Sequence, residues 1–341
     1  MVKIKVGING FGRIGRTFLR NVFNHPQMEV VAINDLASNE VMAHLLKYDS
    51  IHGVLDAEVS FDEKSISINK HQISFTHCSD LNDLKWKNVD IVIEATGKFK
   101  TRPELQKHID AGASKVILSA PPIEDDIKTV VLSVNEHILT DKDLIFSNAS
   151  CTTNNAAPLI KVMNELCGVE QAYITTVHSY TSDQSLHDQP HKDLRRARAA
   201  GQSIVPTTTG AAKALTKIFP ELSNVIGGCG IRVPVPNGSL TDLTINVKKD
   251  VSVKEINEAF YAFAKANPNT FSYTTIPLVS IDISGSPYSC IYDSQMTSVI
   301  GRMVKIIGWY DNESGYANRL KDMVLHTQKL SSKNNISTTF N

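Results

Sequence analysis

A charge imbalance is the first thing this chain lacks. Its 35 basic residues are matched by 35 acidic ones, so no global field draws it to nucleic acid or to anionic lipid. It has no apolar run of membrane-spanning length, so no membrane association is expected. No leader is expected either, because Met1 to Ile4 opens directly into a strand pattern. Cysteines are few: five, at 78, 151, 167, 229 and 290, spaced for neither a disulfide framework nor a zinc site. An odd count of thiols in an enzyme-sized chain fits the reducing cytoplasm, and no metal is expected. There is no internal repeat. What is present is length, since 341 residues suffice for two domains and a large core.

Residues 3–9 alternate as a strand and run into Gly10-Phe11-Gly12-Arg13-Ile14-Gly15, which opens an amphipathic helix. A second strand, Glu29 to Asn34, delivers Asp35. Strand, glycine turn, helix, strand and acid form the dinucleotide-binding fingerprint in its proper context. Glycines let the backbone approach a pyrophosphate at the helix N-terminus, and Asp35 can accept hydrogen bonds from ribose hydroxyls. A 2′-phosphate is repelled there, which favours NAD over NADP. Further buried strands are read at 90–97, 115–121, 129–133 and 143–146, with a helix from Thr101 to about Ala111. Ligands of such sheets lie beyond the carboxyl ends of the strands, so Thr96, Gly97 and Ser119 are cofactor candidates or ordinary turn residues. The stretch 58–77 alternates as short antiparallel strands beside the sheet, with His71 and His77 on the surface.

The rest of the chain is organised around Ser147-Asn148-Ala149-Ser150-Cys151-Thr152-Thr153-Asn154. An apolar strand precedes it, and a helix follows that ends near Gly168. Ser150 can cap that helix, which puts Cys151 in its first turn, where unpaired N–H groups and the helix dipole favour a thiolate. A small buried thiol is the plainer alternative. Past it, Ala172 to Thr181 reads as a strand carrying His178, which can act as acid or base if it faces the sulfur. The segment 182–205 has little periodicity and holds a basic run, His191 to Arg198, readable as solvated surface or as an anion site. The absence of interleaved aromatics argues against nucleic acid as its target. Thr207-Thr208-Thr209-Gly210 opens a helix to Phe219 and could hold a phosphate on hydroxyls and free N–H groups. Arg232, alone in an apolar strand, needs an anionic partner, phosphate or carboxylate. Strands at 241–248, 291–292 and 304–309 and a helix at 252–266 complete a second sheet. A last helix is expected from Glu313 to about Thr327. Asn312 before it is either its cap or a hydrogen-bonding partner for a carboxamide.

These stretches together resemble phosphorylating glyceraldehyde-3-phosphate dehydrogenase along nearly the whole chain. The similarity rests on residues 7–15, Ser147–Asn154, His178–Thr181, Lys192–Ala200, Pro206–Lys213, Arg232–Pro234 and Trp309–Glu313. It implies an α/β architecture, with an N-terminal Rossmann-type doubly wound sheet and an α+β catalytic domain whose mixed sheet is largely antiparallel. The NAD-binding domain would span 1–150, completed by the C-terminal helix 313–330. The catalytic domain would span 151–312, and 331–341 would be a mobile tail. Cys151 is implied as nucleophile and His178 as its partner. Gly10, Gly12, Arg13, Ile14, Gly15, Asp35, Ser119 and Asn312 would contact NAD. Thr181 and Arg232 would hold the phosphate of glyceraldehyde 3-phosphate, while Ser150, Thr152, Arg196, Thr209 and Gly210 would bind inorganic phosphate. Leu36 and Pro190 match the NAD-preferring branch of the family.

A cytoplasmic homotetramer, with the 182–205 loop reaching a neighbouring cofactor site, is also implied. Departures from the family pattern are Asn155 where a second cysteine is common, a missing arginine near His77–Asp80, Ser314 where a bulky residue is common, and a longer polar tail. The alternatives are an erythrose-4-phosphate dehydrogenase, which shares fold and nucleophile, and a nucleotide-binding interaction protein without catalysis.

Overall fold

The computed structural model describes residues 3–337. Two compact units emerge. The first takes the chain up to Val130, then Glu136–Ala149 and the stretch from Ala317; the second takes Val131–Asn135 and Ser150–Tyr316.

The first unit is a nine-stranded sheet. Its strands are β1 (Ile4–Asn9), β2 (Met28–Asn34), β3 (Val59–Phe61), β4 (Ser65–Ile68), β5 (His71–Thr76), β6 (Ile91–Glu94), β7 (Lys115–Leu118), β8 (Lys128–Thr129) and β9 (Ile145–Ser147). The spatial order is β8-β9-β7-β6-β1-β2-β5-β4-β3. From β8 to β5 every pairing is parallel, and only β3, β4 and β5 pair antiparallel. Order reversing outward from β1 is the doubly wound pattern, and it opens a crevice beyond the strand ends. The expected insertion at 58–77 is therefore a hairpin whose last strand, β5, joins the parallel sheet. Val6, Ile8, Ile33, Val92, Ile93, Val116 and Ile117 are fully or almost fully buried, as strands covered on both faces require.

Helices α1 (Arg13–Val22), α2 (Asn39–Lys47) and α3 (Arg102–Asp110) belong to this unit. The start of α3 follows from a capping box of Thr101 and Glu104 with a proline in its first turn. Sequence reading missed α2, a helix of nine residues capped by Ser38. The strand expected over 129–133 is cut to Lys128–Thr129. Beyond it the Val131 N–H turns to Asn135 Oδ1 at 2.7 Å and Ser133 adopts a positive φ, so the ladder stops.

The second unit carries a mixed sheet of β10 (Val169–Ser179), β11 (Val205–Thr207), β12 (Ile226–Val233), β13 (Ser239–Val247), β14 (Phe271–Thr274), β15 (Cys290–Asp293), β16 (Ser298–Ile300) and β17 (Met303–Tyr310). The order is β11-β12-β10-β13-β17-β15-β14, with β16 also on β17. Only β10–β12 and β14–β15 pair in parallel. Helices α4 (Cys151–Cys167), α5 (Ala211–Ile218) and α6 (Val253–Ala266) pack with it. Helix α4 ends at Gly168, whose φ of +73° suits glycine.

The last helix, α7 (Ser314–Ser337), runs past the expected end at Thr327. Residues 328–337 contain neither proline nor glycine, so nothing stops the helix there. Of the tail expected to be mobile, 331–337 is helical, and 338–341 lies outside the described residues.

Candidate active site

In the first unit a cavity opens at the carboxyl ends of β1, β2 and β6, lined by Gly10, Gly12, Asp35, Leu36, Thr96 and Cys78 among others. A β-carbon on Gly10 would stand 2.6 Å from Thr96 N, so only glycine lets the two loops touch. One on Gly15 would meet Gly10 O at 2.4 Å, while Gly12 faces open space. Helix α1 starts at Gly12 without a side-chain cap, leaving its first turn open to an anion. Asp35 is held by both oxygens: Oδ2 accepts from Phe11 N at 2.7 Å and Oδ1 from Ala37 N at 3.0 Å. Each oxygen keeps a lone pair for a further donor, such as a ribose hydroxyl. A dinucleotide fits this donor set.

In the second unit the nucleophile candidate is placed by a helix start. Ser150 is the N-cap of α4, its hydroxyl accepting from Thr153 N at 3.1 Å. Cys151 is therefore the first residue of the helix, and its Sγ lies 3.5 Å from His178 Nε2. His178 comes from β10, where parallel register sets it beside Arg232 of β12. Its Nδ1 is 2.7 Å from Ser179 O, which can only accept: a proton on Nδ1 makes that bond and leaves Nε2 facing the sulfur as a base, whereas a bare Nδ1 accepts from Arg232 instead. Arg232 Nη1 donates to the same carbonyl at 3.0 Å and crowds Nδ1 at 2.5 Å. The Tyr310 ring meets the imidazole edge-on at 5.8 Å, and its hydroxyl is 2.9 Å from Thr152 Oγ1.

Electrostatics here differ from the expectation based on helix position. Burial pushes the Cys151 thiol up, opposed by the Arg232 charge and by the N–H groups of Thr152 and Cys151 itself. Burial, and then Arg232, push the His178 imidazole down to about 3 beside an intact thiol. Each charge alone is disfavoured. Moving the proton from Sγ to Nε2, however, creates two opposite charges 3.5 Å apart that stabilise one another.

Two family models match this chain: the NAD binding domain of glyceraldehyde 3-phosphate dehydrogenase over residues 4–102, and its C-terminal domain over 150–312. Glyceraldehyde-3-phosphate dehydrogenase 2 of Bacillus subtilis (strain 168) is 48% identical over 330 residues, covering 95% of this chain and 97% of its own. The Geobacillus stearothermophilus enzyme is 49% identical over 328 residues, 95% of this chain and 98% of its own. That of Mycobacterium avium is 48% identical over 331 residues, 94% and 97% of the two chains. The chain belongs to the glyceraldehyde-3-phosphate dehydrogenase family.

The remaining positions that the family resemblance singles out fall in both units. Arg13 forms a two-point ion pair with Asp49, at 2.6 and 3.1 Å, so its guanidinium is engaged within the protein. Ile14 follows in the first turn of α1. Ser119 sits beyond β7 with its N–H on Glu94 O at 3.0 Å, outside the lining of the cavity. Asn312 is no cap. Asp311 Oδ1 accepts from the N–H groups of Glu313 and Ser314 at the start of α7, both at 2.8 Å. Asn312 Oδ1 instead accepts from Ser179 and Ser239 hydroxyls at 2.8 and 2.9 Å, which directs its amide nitrogen away from both.

Among the described residues no carboxylate pairs with Arg232, whereas Arg196 pairs with Asp183 and Asp193. Each lies in the other's field: burial first, then Arg196 among its charged neighbours, lowers Arg232. An anion close to both relieves that repulsion. Thr181 is half-buried, its carbonyl accepting from Gln184 N. Thr209 Oγ1 accepts from Ala211 N at 3.3 Å, and Gly210 starts α5 with no side-chain cap. Sequence reading passed over Tyr310, Ser179 and Ser239; a tyrosine or serine at the end or start of an alternating strand carries no local mark.

Proposed function

We propose that this chain oxidises D-glyceraldehyde 3-phosphate to 1,3-bisphosphoglycerate with NAD and inorganic phosphate, in the direction of glycolysis or its reverse. The observation that carries the reading is the Cys151 sulfur at a helix start, 3.5 Å from His178 Nε2, with Arg232 in register beside the imidazole. Bound NAD supplies the hydride acceptor. Gly10, Gly12, Arg13, Ile14, Gly15, Asp35, Ser119 and Asn312 would hold it, Arg13 through its backbone.

The steps on the protein's own groups balance. With the proton on His178 Nε2, the Cys151 sulfur attacks the aldehyde carbon and Nε2 returns the proton to the new alkoxide, giving a thiohemiacetal. Nε2 then takes that hydroxyl proton, and a thioester remains on Cys151. A phosphate oxygen attacks the acyl carbon, the C–S bond breaks, and the thiolate–imidazolium pair is restored with an acyl phosphate as product. Thr181 and Arg232 would hold the substrate phosphate, and Ser150, Thr152, Arg196, Thr209 and Gly210 the incoming one. Exposed Leu186, Leu194 and Ile204 on the 182–205 segment support a subunit interface there, and a homotetramer is our reading of the assembly. Five free thiols support a cytoplasmic setting.

The test is NAD reduction with glyceraldehyde 3-phosphate and with erythrose 4-phosphate, each with and without inorganic phosphate. Phosphate-dependent turnover with the triose, abolished in Cys151→Ser, is expected. Turnover indifferent to phosphate, faster with the tetrose, or surviving the serine substitution would sink the reading.

A further inference from the structure

A polar ladder crosses the first unit just beneath the cofactor cavity, and none of the roles above uses its anchor. Register places Glu94, Asn9, Asn34 and Thr76 side by side at the carboxyl ends of β6, β1, β2 and β5. Asn9 Nδ2 donates to Glu94 Oε2 at 2.6 Å, Asn34 Nδ2 donates to Asn9 Oδ1 at 2.8 Å, and Thr76 Oγ1 donates to Asn34 Oδ1 at 2.8 Å. Glu94 and Asn9 are each only 1% exposed and Asn34 only 4%, so water cannot substitute for a missing partner.

The direction of the bonds along the ladder is forced. Cys78 N is a donor and gives its proton to Asn34 Oδ1 at 2.8 Å. The Asn34 amide nitrogen must therefore face Asn9 Oδ1, and the Asn9 amide nitrogen must face residue 94. On the other side, Trp86 Nε1 can only donate, and it donates to His108 Nδ1 at 3.0 Å. That leaves the proton of the ring on Nε2, which lies 3.1 Å from Glu94 Oε2. Thr96 N donates to Glu94 Oε1 at 2.8 Å. The Thr96 hydroxyl, occupied as an acceptor by Lys98 N at 3.1 Å, donates to the same oxygen. Four donors converge on Glu94; Asn9 Nδ2, His108 Nε2 and Thr96 N can only donate there, and the Thr96 hydroxyl is the one group beside it that could also accept. Only a carboxylate satisfies all four.

We propose that Glu94 is a buried anionic positioning residue for the cofactor site, holding the Thr96 loop and the Asn9–Asn34 pair in the one arrangement that forms the cavity. Gly10 rests on the Thr96 backbone, and Asp35 follows Asn34 directly, with its N–H on Thr76 O at 3.1 Å. A shift of the ladder thus moves both the pyrophosphate turn and the ribose acceptor. Glutamine at 94 puts an NH2 against two donors. Flipping Asn9 and then Asn34 to accommodate it ends with an amide NH2 facing Cys78 N–H, so the mismatch is passed along and never removed.

This inference rests on the dehydrogenase reading, and its test separates the two. Purified wild-type and Glu94→Gln protein are compared by thermal melting, NAD and NADH titration, and steady-state kinetics. Expected are a dissociation constant and KM for NAD about tenfold higher or more, with kcat and KM for glyceraldehyde 3-phosphate within about twofold. Iodoacetamide reactivity of Cys151 should not change. An unchanged NAD dissociation constant in a folded variant overturns the proposal, as does a fall in kcat with KM for NAD unaltered. Should the variant fail to fold, 15N NMR of the wild-type histidines at pH 8 decides: His108 must show a single tautomer protonated at Nε2, and protonation at Nδ1 refutes the ladder. If the wild-type protein does not bind NAD at all, it is the dehydrogenase reading that has failed.

Discussion

At the scale of single residues, the sulfur and the imidazole cannot be treated separately. Burial opposes a lone thiolate and a lone imidazolium, and the free energy that permits either comes from having both. The sign of the coupling is therefore fixed: a protonated His178 beside Cys151 lowers the thiol, and removing the imidazole lets burial raise it. In His178→Asn the pH profile of Cys151 alkylation by iodoacetamide should move to higher pH. At pH 7 the reaction should slow about tenfold or more, since an adjacent opposite charge is typically worth one to three pKa units. Mass spectrometry of the alkylated peptide gives the rate for this cysteine alone. Superimposable profiles for wild type and variant would show that the helix start and Arg232 alone activate the sulfur.

At the scale of elements, legibility followed the range of the interactions involved. The glycine turn, Asp35 and the capping box of α3 act within a few residues, and so they could be read from sequence. The start of α4 at Cys151 was legible for the same reason, because Ser150 bonds to Thr153 N three residues on. What could not be read depends on register between distant strands. Arg232 beside His178, Glu94 beside Asn9, and Ser179 and Ser239 on Asn312 are all meetings of residues far apart in sequence, with no periodicity of their own. The extension of α7 was missed for another reason, since polar residues without a helix breaker look the same in a helix and in a tail.

The Arg13–Asp49 pair shows how an element contact carries pH dependence. It ties the start of α1 to the two-residue strand Tyr48–Asp49 that follows α2. Burial alone would raise the Asp49 carboxyl; bonds from Arg13 and from the N–H groups of His52 and Ile51 outweigh it and hold the group down to about 2. A carboxyl whose folded value is depressed stabilises the fold above its unfolded value, near 4, and the contribution fades as pH falls through about 2. Asp49→Asn should therefore melt at a lower temperature than wild type at pH 7. The gap should narrow between about pH 4 and pH 2, measured by circular dichroism wherever both proteins remain folded. A gap that stays constant, or widens, across that window would remove the carboxylate from the account.

At the scale of the whole molecule, the first unit is discontinuous in sequence. The chain up to Ala149 supplies all nine strands of its sheet, yet the unit also includes the stretch from Ala317. Ala317, Leu320, Met323 and Val324 are wholly buried, and Thr327 nearly so. Their spacing of three and four residues gives one face of α7 a continuous apolar stripe. Losing three large buried side chains costs about 2–5 kcal/mol each, comparable in sum with the whole stability of a domain. A fragment of residues 1–149 should therefore show no cooperative melt and no NAD binding. The same fragment joined through a flexible linker to 314–330 should recover both. Removing only 331–341 from the full chain spares every one of those buried positions, so melting temperature and turnover should stay at wild-type values. Calorimetry and NAD titration of the three proteins check this, and a stable, NAD-binding 1–149 fragment would show that the sheet does not depend on its distant helix.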